Sequence, residues 1–452
     1  MGNAPSAEPD DPMTNAAEPT SMRAPILADG VTLSTSTLQL TADGRVVCSP
    51  TNNSQPTTTV ALADVAGVET DGSTLTLHHA PRSSGGCGGG GQRRLRSLEI
   101  RCDSAEQATQ VRDALRCAIA GTTTPPPPPR LLVLVNPRSG PGHGARIWAD
   151  CRPIVAASGA ALTEVVTASA DDAKERVASL DLGAYDGVIC VSGDGMVHEV
   201  LNGLAARDDA DAALAALAIG TIPAGSGNAL ATSLLRAASE PLHPRSAAFL
   251  VARGGRAALD LWRVTQPSRQ GYAFLSLEWA MASDMDLGSD ALRWLGPLRF
   301  DIYALLRILT SWKYAGTLRY RRAGSDAWEE ATGPFLLFWA CNMKYMSADA
   351  QVAPDAELGD GLIDLTVLRP AGRGAILSAF VGELENGKYV QRPFVDYFKV
   401  AAFELEPQPR TARKPGMIAV DGELWALETT KVEVLPSKLT LLGAAAAEAR
   451  AV

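Results

Sequence analysis

The sequence predicts an α/β domain with a parallel sheet, preceded by a small β-rich domain and followed by a mainly antiparallel β domain. Three observations predict this order. Strand patterns closed by one helical pattern occupy residues 28–121, strand and helical patterns alternate over 130–256, and strand patterns dominate again over 257–445. Residues 1–27 are rich in Ala, Pro, Asp and Ser without an apolar period, so they are predicted to be a disordered tail.

The first β-rich region has five candidate strands, TLQL, RVVCS, TTTVAL, STLTLHH and LRSLEIRC, with the glycine run 85–91 as an inter-strand loop. A helix follows, because Ser104 and Gln107 have capping-box spacing. Its predicted apolar face is Ala108, Val111, Leu115 and Ala118. Strands closed by one C-terminal helix resemble a pleckstrin-homology-like domain. Residues 122–129, TTTPPPPP, predict a stiff linker after it.

The α/β region has four apolar runs of strand length, each followed by a loop. They are Leu131–Val135, Leu162–Val166, Gly187–Val191 and Ala218–Ile222. A helix is predicted over residues 170–180 with Ser169 as its N-cap. In a parallel sheet the loops that follow the strands line one edge and form the ligand crevice.

Composition excludes several classes of protein. The net charge of −9 and the isoelectric point near 5.2 argue against a nucleic-acid partner. Seven scattered cysteines without a CxxC pattern predict buried or incidental thiols in a reducing compartment. No apolar run reaches membrane-spanning length and no signal peptide opens the chain, so we expect a cytoplasmic protein. The start MGNAPS fits a myristoylation pattern at Gly2, which would add weak, reversible membrane attachment.

Three glycine-bearing loops follow three of the apolar runs, at Asn136–Gly144, Ser192–Gly195 and Pro223–Asn228. Glycines let backbone amides approach an anion closely, and a helix N-terminus behind each loop favours negative charge. Tight turns without a ligand are the alternative. The first loop lacks the G-K-[ST] ending of a P-loop, so arginines would have to meet phosphate charge. The candidates are Arg138, Arg293 and Arg299, although each alone is also typical of a solvated surface charge.

Asp194 lies between Gly193 and Gly195 at the mouth of this crevice. A carboxylate beside polyphosphate is repelled unless it binds a metal or takes a proton from an attacking hydroxyl. Phosphoryl transfer uses such a base, and the flanking glycines leave room for the reacting groups. A structural cap on the following helix is the alternative.

Five motifs in order resemble the diacylglycerol-kinase/sphingosine-kinase superfamily of lipid kinases, and within it the eukaryotic sphingosine kinases. They are LVNPRSGPG, VSGDGMVHEVLNGL, IPAGSGNALA, LSLEWAMASDMDLGSDALRWLGPLRF and AVDGELW, within residues 131 to 440. The resemblance implies an ATP-binding α/β domain joined to a lipid-binding β-sandwich. The implied reaction transfers the ATP γ-phosphate, with Mg²⁺, to the primary hydroxyl of sphingosine or a related sphingoid base.

The resemblance also implies residue roles, with Asp194 as the catalytic base. The implied nucleotide contacts are Asn136, Pro137, Arg138, Thr167, Glu199, Gly225, Ser226, Gly227, Arg293, Arg299, Asp421, Gly422 and Glu423, of which the last three would lie near the metal. The implied substrate contacts are Ser192, Gly193, Asp194, Gly195 and Asp286. No Mg²⁺ ligand is assigned. The first loop departs from the family pattern, because no lysine follows its glycines in GPGHGA.

The lipid class is indicated by Asp284 and Asp286, which would point the same way in an extended segment. A carboxylate in an apolar lipid pocket needs a cationic or hydroxyl partner. The ammonium of a long-chain base supplies one, whereas diacylglycerol and ceramide carry no cation. We therefore expect Asp286 to bind the amino-alcohol head, a role that the resemblance also implies. An exposed acidic turn is the alternative.

A further stripe at helical spacing consists of Ile302, Leu305, Leu306, Leu309 and Trp312. It predicts either ordinary core or a wall of the lipid-tail site. Two other functions stay open at this point. One is a ceramide or diacylglycerol kinase, and the other is a lipid-sensing adaptor with an inactive kinase domain. The intact Asp194, its paired glycines and the DGE motif argue against the adaptor. The expected partners are a sphingoid-base lipid and a membrane surface that the protein binds peripherally.

Overall fold

A computed structural model describes most of the chain. The described residues are 25–51, 56–83, 91–225, 227–288, 298–310, 312–411 and 415–444, with the side chains of 25, 26 and 298–301 left out. Gly2, most of the predicted tail and all but the last residue of the glycine run lie outside this part. The chain divides into two compact units, of which the first takes 1–63, 70–75 and 100–126 and the second takes 64–69, 76–99 and 127–452.

The N-terminal strands form two small sheets. The first sheet has the order β1-β2-β3-β4 and the second has the order β5-β6-β7. Their bounds are β1 Val31–Thr32, β2 Ser36–Leu40, β3 Arg45–Pro50, β4 Thr58–Ala61, β5 Val65–Asp71, β6 Thr74–His79 and β7 Arg96–Arg101, with helix α1 at Pro25–Ala28. The sequence did not predict β5, VAGVETD, because Ala, Gly, Glu and Asp are poor strand formers.

Helix α2, Ala105–Ala120, closes this region as predicted. The Ser104 side chain accepts a hydrogen bond from the Gln107 amide, and the Gln107 side chain accepts one from the Asp103 amide. This pair differs from a standard capping box in one respect, because the Gln107 side chain reaches the amide before the N-cap Ser104. The buried face includes Cys117, whereas the predicted Ala118 is only partly buried.

The α/β region has four parallel strands in the order β11-β10-β8-β9. Their bounds are β8 Arg130–Val135, β9 Ala161–Val166, β10 Gly187–Ser192 and β11 Ala218–Pro223. The helices are α3 Gly144–Ala156, α4 Asp172–Ala178, α5 Asp194–Ala205, α6 Ala210–Ala216, α7 Ala229–Ala237 and α8 Pro244–Arg253. Leu132 and Leu134 join one apolar core while Leu131 and Val133 join another, so both faces of the sheet are covered.

The predicted cap of α4 is wrong. The helix begins at Asp172, its N-cap is Asp171 at φ 65°, and Asp172 accepts a hydrogen bond from the Ala168 amide at 2.8 Å. The chain therefore makes a tight left-handed turn before the helix, and Ser169 lies within the loop.

The C-terminal β region is a β-sandwich-like set of mostly antiparallel strands. The strands are β12 Arg256–Thr265, β13 Gln270–Ala273, β14 Ser276–Ala280, β15 Gly316–Arg322, β16 Trp328–Thr332, β17 Leu337–Cys341, β18 Tyr345–Ser347, β19 Ala350–Gln351, β20 Ile363–Leu368, β21 Val395–Pro407, β22 Ile418–Val420, β23 Glu423–Trp425 and β24 Thr430–Leu442. The helices are α9 Met281–Asp286, α10 Leu298–Thr310 and α11 Arg373–Gly382. Aromatic side chains fill its core, among them Trp262, Trp279, Phe338 and Phe403.

Strand β24 joins the two halves of the second unit. It pairs with β12 from residue 431 to residue 442 and with β21 through residues 430–433, while residues 440–442 also pair in parallel with residues 218–220 of β11. One continuous sheet therefore runs from the sandwich into the parallel strands, which fixes the position of the crevice between them.

Candidate active site

The three glycine-bearing loops meet at one edge of the parallel sheet, as predicted. A Cβ at Gly193 would stand 2.9 Å from the Gly227 carbonyl oxygen, and one at Gly225 would stand 2.6 Å from the Gly193 Cα. Real side chains do not tolerate such distances, so glycine is required for these backbones to touch. A Cβ at Gly195 would meet nothing within 4 Å, so the space beside Asp194 on that side is open.

The first loop is tied to its neighbours by side chains from the predicted set. The Ser192 hydroxyl lies 2.7 Å from the Ser139 hydroxyl and 3.5 Å from Asn136 Nδ2. The Arg138 side chain donates to the Ala168 carbonyl, while Thr167 donates its amide to Val135 at the end of β8. Asn136, Arg138, Thr167 and Ser192 therefore surround one crevice, with the Arg138 side chain exposed at its rim.

Asp194 is the first residue of α5, but its carboxylate contacts a different helix. Oδ2 accepts from the Ala229 amide at 2.7 Å and Oδ1 accepts from the Leu230 amide at 3.2 Å. Both amides belong to the first turn of α7, where the helix dipole favours an anion. Asp194 therefore links the second loop to the helix behind the third loop, and the predicted alternative, a cap on α5 itself, is wrong.

The surroundings of Asp194 raise the pKa of its carboxyl group. Burial raises the pKa of the carboxyl to about 6, the α7 amides oppose this shift, and the charge of Asp421 adds to it. A carboxyl with this pKa is largely ionised at pH 7 and still a better proton acceptor than an ordinary aspartate. Those properties suit a general base.

Asp421 and Gly422 form the two-residue turn of the hairpin β22–β23, with φ angles of 51° and 82°. An Asp-Gly pair is a typical sequence for such turns because both positions need positive φ. The Asp421 carboxylate is buried and accepts from three consecutive amides, those of Phe274, Leu275 and Ser276, at 3.0 Å each. It thereby fixes the start of β14, while Glu423, the residue after the turn, is exposed.

The sequence did not single out His198 and Asn202, which lie on successive turns of α5. His198 Nδ1 lies 2.9 Å from Asp421 Oδ2, and its Nε2 lies 3.2 Å from Asn202 Nδ2. Asn202 also exchanges hydrogen bonds with the backbone of Tyr272 on β13. These contacts fix the helix that begins with Asp194 against the sandwich. The histidine inside the GDGMVHE motif was the only sequence signal for them.

Glu199 lies farther along α5 among other acids. Burial raises the pKa of its carboxyl, and the charges of Asp171 and Glu423 raise it further. In the part of the chain that the structure describes, no group of three His, Cys, Asp or Glu side chains is arranged to hold a metal ion. The structure therefore adds no Mg²⁺ ligand to the sequence prediction.

The predicted geometry of Asp284 and Asp286 is wrong, because they lie in the short helix α9 and not in an extended segment. Residues two apart on a helix point to different sides. Asp284 is buried, accepts from the Tyr314 hydroxyl, and lies 3.3 Å from Arg307 Nε. The carboxylate of Asp286 instead lies beside the hairpin turn, with Oδ2 3.7 Å from where a Gly422 Cβ would be.

Four of the five residues of the predicted stripe point outward, so of its two predicted roles ordinary core is wrong for these four, whereas Trp312 packs against the core. Ile302, Leu305, Leu306 and Leu309 are 45–55% exposed. Ile308 is the residue that packs inward, and it lines a small apolar cavity with Met281, Trp312 and Leu336. The spacing predicted the stripe but not the side of the helix that faces the core. That side is occupied by Arg307, which contacts Asp284 and the Trp312 ring, and the sequence pattern does not show these contacts.

Three of the remaining predicted residues lie wholly or partly outside the described part of the chain. Ser226 and Arg293 lie outside the described residues, and so does the side chain of Arg299, whose backbone belongs to α10. Pro137 lies between Asn136 and Arg138 at the crevice and is partly buried.

Comparisons with known proteins agree with this geometry. The family model of the diacylglycerol kinase catalytic domain matches residues 130–264, and that of the YegS C-terminal NAD kinase beta sandwich-like domain matches residues 282–443. Sphingosine kinase 1 of Arabidopsis thaliana is 35% identical over 334 residues, which cover 66% of this chain and 68% of the relative. The chain belongs to the diacylglycerol kinase catalytic-domain family.

Within this family the chain is a lipid kinase related to the sphingosine kinases. Sphingosine kinase 1 of Homo sapiens is 30% identical over 348 residues, covering 68% of this chain and 89% of the human protein. Membership of a kinase family implies the use of ATP and of a lipid substrate. Over the described residues, the structure contains no helix with the length and hydropathy needed to cross a membrane.

A solved structure supports the fold. A protein from Bacillus anthracis str. Sterne, provisionally assigned as a diacylglycerol kinase, superposes with a TM-score of 0.54 at 20% identity. The match covers 69% of this chain and 96% of the bacterial one. The predicted succession of an α/β domain and a β-sandwich-like domain is confirmed, while the pleckstrin-homology-like character of the N-terminal strands stays a prediction.

Proposed function

We propose that this lipid kinase transfers the γ-phosphate of ATP to the primary hydroxyl of sphingosine or a related sphingoid base. The observation that carries the proposal is the position of the Asp286 carboxylate beside the Asp421–Gly422 turn. Asp421 raises the pKa of Asp194 and contacts His198, which lies on α5 with Asp194. Because Asp286 lies beside the turn that contains Asp421, Asp286 and Asp194 would belong to one site. An anionic group on the lipid side of this site favours a cationic head.

The proposed roles follow from the arrangement of the loops. The amides of the three glycine loops, with Arg138 at the rim, would hold the nucleotide phosphates, and Mg²⁺ would neutralise phosphate charge when bound. Asp194 would take the proton of the lipid hydroxyl as it attacks phosphorus. Asp421 would act by holding β14 and α5 in place, because both of its oxygens are already engaged. Thr167, Glu199 and Glu423 are proposed nucleotide contacts, as are Pro137, Gly225, Ser226, Gly227, Arg293 and Arg299.

The acidity of Asp194 makes a prediction for the pH dependence of the reaction. A base must be ionised, so the value of kcat/KM should fall about tenfold per pH unit below pH 6 and level off above it. Initial rates between pH 5 and 8 with saturating ATP would measure this limb. A profile that stays flat down to pH 5 would contradict the assignment of the base.

The substrate class is tested by comparing lipids. Sphingosine, ceramide and diacylglycerol are assayed side by side with radiolabelled ATP, and we expect transfer to sphingosine. Asp286→Asn should then raise the KM for sphingosine by at least about tenfold, because a charge-assisted contact to the ammonium is lost. Asp396→Asn is the matched control, since this acid of the sandwich pairs with Arg369 at the surface.

Two other outcomes of the lipid comparison would each point to a different function. Preferred transfer to ceramide or diacylglycerol would overturn the substrate assignment and leave a lipid kinase. Absence of transfer to all three lipids would favour the adaptor.

We also propose that the enzyme works at a membrane surface to which it binds peripherally. The support is the exposed apolar face of α10, formed by Ile302, Leu305, Leu306 and Leu309. Exposed apolar side chains grouped on one helix are typical of surfaces that meet lipid or protein. Acylation at Gly2 stays a prediction from the sequence.

A further inference from the structure

Glu278 is a buried acid that the proposed reaction does not yet use. It lies in the middle of β14, between Trp339 of β17 and Ala419 of β22, and is 4% exposed. Oε1 accepts from Trp339 Nε1 at 3.1 Å and from the Ser276 hydroxyl at 3.3 Å. Glutamate is rarely buried in a strand of this kind without a cation, and the described residues supply no ion pair to it.

The second oxygen of Glu278 is available to a ligand. Oε2 accepts no hydrogen bond from the described residues. It is also not one of the fully buried side-chain atoms without a partner, so part of its surface is accessible. Trp339 belongs to the apolar cluster that also contains Met281 of α9 and Ile308 of α10. Glu278 therefore lies on the face of the sheet that these two helices cover, which is the side where Asp286 is found.

Glu278 and Asp286 are close enough to affect each other. Burial raises the pKa of Glu278 well above its ordinary value, and the charges of Asp286 and then Asp421 raise it further. Both causes favour the protonated form of this carboxyl, which can both donate and accept a hydrogen bond. A second carboxyl, whose protonated form is favoured, therefore accompanies Asp286 on this face of the sheet.

This combination matches a specific kind of lipid head. In a sphingoid base the carbon that carries the ammonium is bonded to two carbons that each carry a hydroxyl. One hydroxyl is phosphorylated, and the other needs a hydrogen-bonding partner when the head leaves water.

We propose that Glu278 determines substrate specificity by hydrogen bonding the second hydroxyl of the base, next to an ammonium held by Asp286. This inference rests on the proposed function.

The test compares a sphingoid base with its 3-deoxy analogue, which keeps the amine and the reacting hydroxyl. We expect the wild-type enzyme to prefer the complete base about tenfold in kcat/KM, the size of one net hydrogen bond. Glu278→Met keeps the volume and removes the polar group, so the preference should vanish through a higher KM for the complete base, with kcat changed less than about threefold. Glu278→Gln mimics the protonated acid and should retain the preference.

The control variant is Asp364→Asn, another buried acid of the same sheet, which pairs with Lys399 and faces Cys341 across the strands. It should leave the preference unchanged. A merely structural Glu278 would lower activity on both bases equally in the methionine variant, and that result would overturn the inference.

The wild-type measurement alone is also decisive. Activity on both bases without preference overturns the role of Glu278 and leaves the sphingoid-base kinase intact. Absence of activity on either base overturns the proposed function, and the head-group site with it.

Discussion

Asp194→Asn should lower kcat for lipid phosphorylation by about 100- to 10,000-fold, the range that a positioned general base contributes. The asparagine side chain keeps one oxygen, which can accept the shorter of the two bonds, from the Ala229 amide, and loses the longer one from Leu230; it has no basic lone pair for the substrate proton. The fold should therefore persist. The measurement is a single-turnover transfer assay beside a thermal unfolding curve of the same preparation.

Asp172→Asn is the matched control for this experiment. Asp172 also accepts a backbone amide, from Ala168 at 2.8 Å, at the start of a helix in the same domain. Its replacement should cost about 1 kcal/mol of stability and leave kcat within a few-fold. Turnover near the wild-type level in Asp194→Asn would show that the carboxylate serves only as a structural link to α7.

Arg93→Ala should lower the free energy of unfolding by about 3–5 kcal/mol, the usual cost of leaving a buried charge without its partner. Arg93 is 4% exposed and donates to Glu240 through Nε and Nη2, at 2.9 and 2.6 Å. It also donates to Asp64 and stacks 3.8 Å from the centre of the Phe249 ring. Urea unfolding followed by tryptophan fluorescence would measure the loss.

The matched control is Arg94→Ala, since Arg94 is the exposed neighbour and its replacement should change stability by less than about 0.5 kcal/mol. Adding Glu240→Gln to Arg93→Ala should recover part of the loss, because it removes a buried charge whose remaining partner, Arg82, is half-exposed. Equal stability of Arg93→Ala and wild type would contradict the role of this network.

The same network predicts a pH dependence. Burial opposes ionisation of Glu240, but hydrogen bonds from Arg93 and Arg82 outweigh it and lower the pKa of the carboxyl. A lowered pKa in the folded state means that the stabilisation is complete above the unfolded pKa. It is lost as pH falls through the lowered value.

The sequence predicted the loops of the site better than its side-chain contacts. Glycines and Asp194 were found because each loop follows an apolar run, and parallel strands bring such loops to one edge. Helix α9 has only six residues, too few to show a helical period, so Asp284 and Asp286 were assigned to an extended segment. Its geometry depends on Arg307, Tyr314 and the hairpin turn, which lie far away in the chain.

Two other features escaped prediction for related reasons. Glu278 interrupts an apolar strand by a single residue, and only the pairing with Trp339 and Ala419 reveals that it is buried on the face of the sheet that α9 and α10 cover. Asp421 looked like part of the nucleotide site, whereas its oxygens hold three amides of the segment before β14. Such contacts join residues 61 to 147 positions apart, and no local pattern encodes them.

The pairing of β24 with β11 has a consequence for biosynthesis. The parallel strands that carry the catalytic loops emerge from the ribosome long before residues 440–442, which complete the hydrogen bonding of Ala218–Gly220. Until those last residues are made, β11 presents an open edge to other nascent chains, a risk for aggregation. The catalytic half therefore finishes folding only after translation of the sandwich, and chaperone binding should be strongest in that interval.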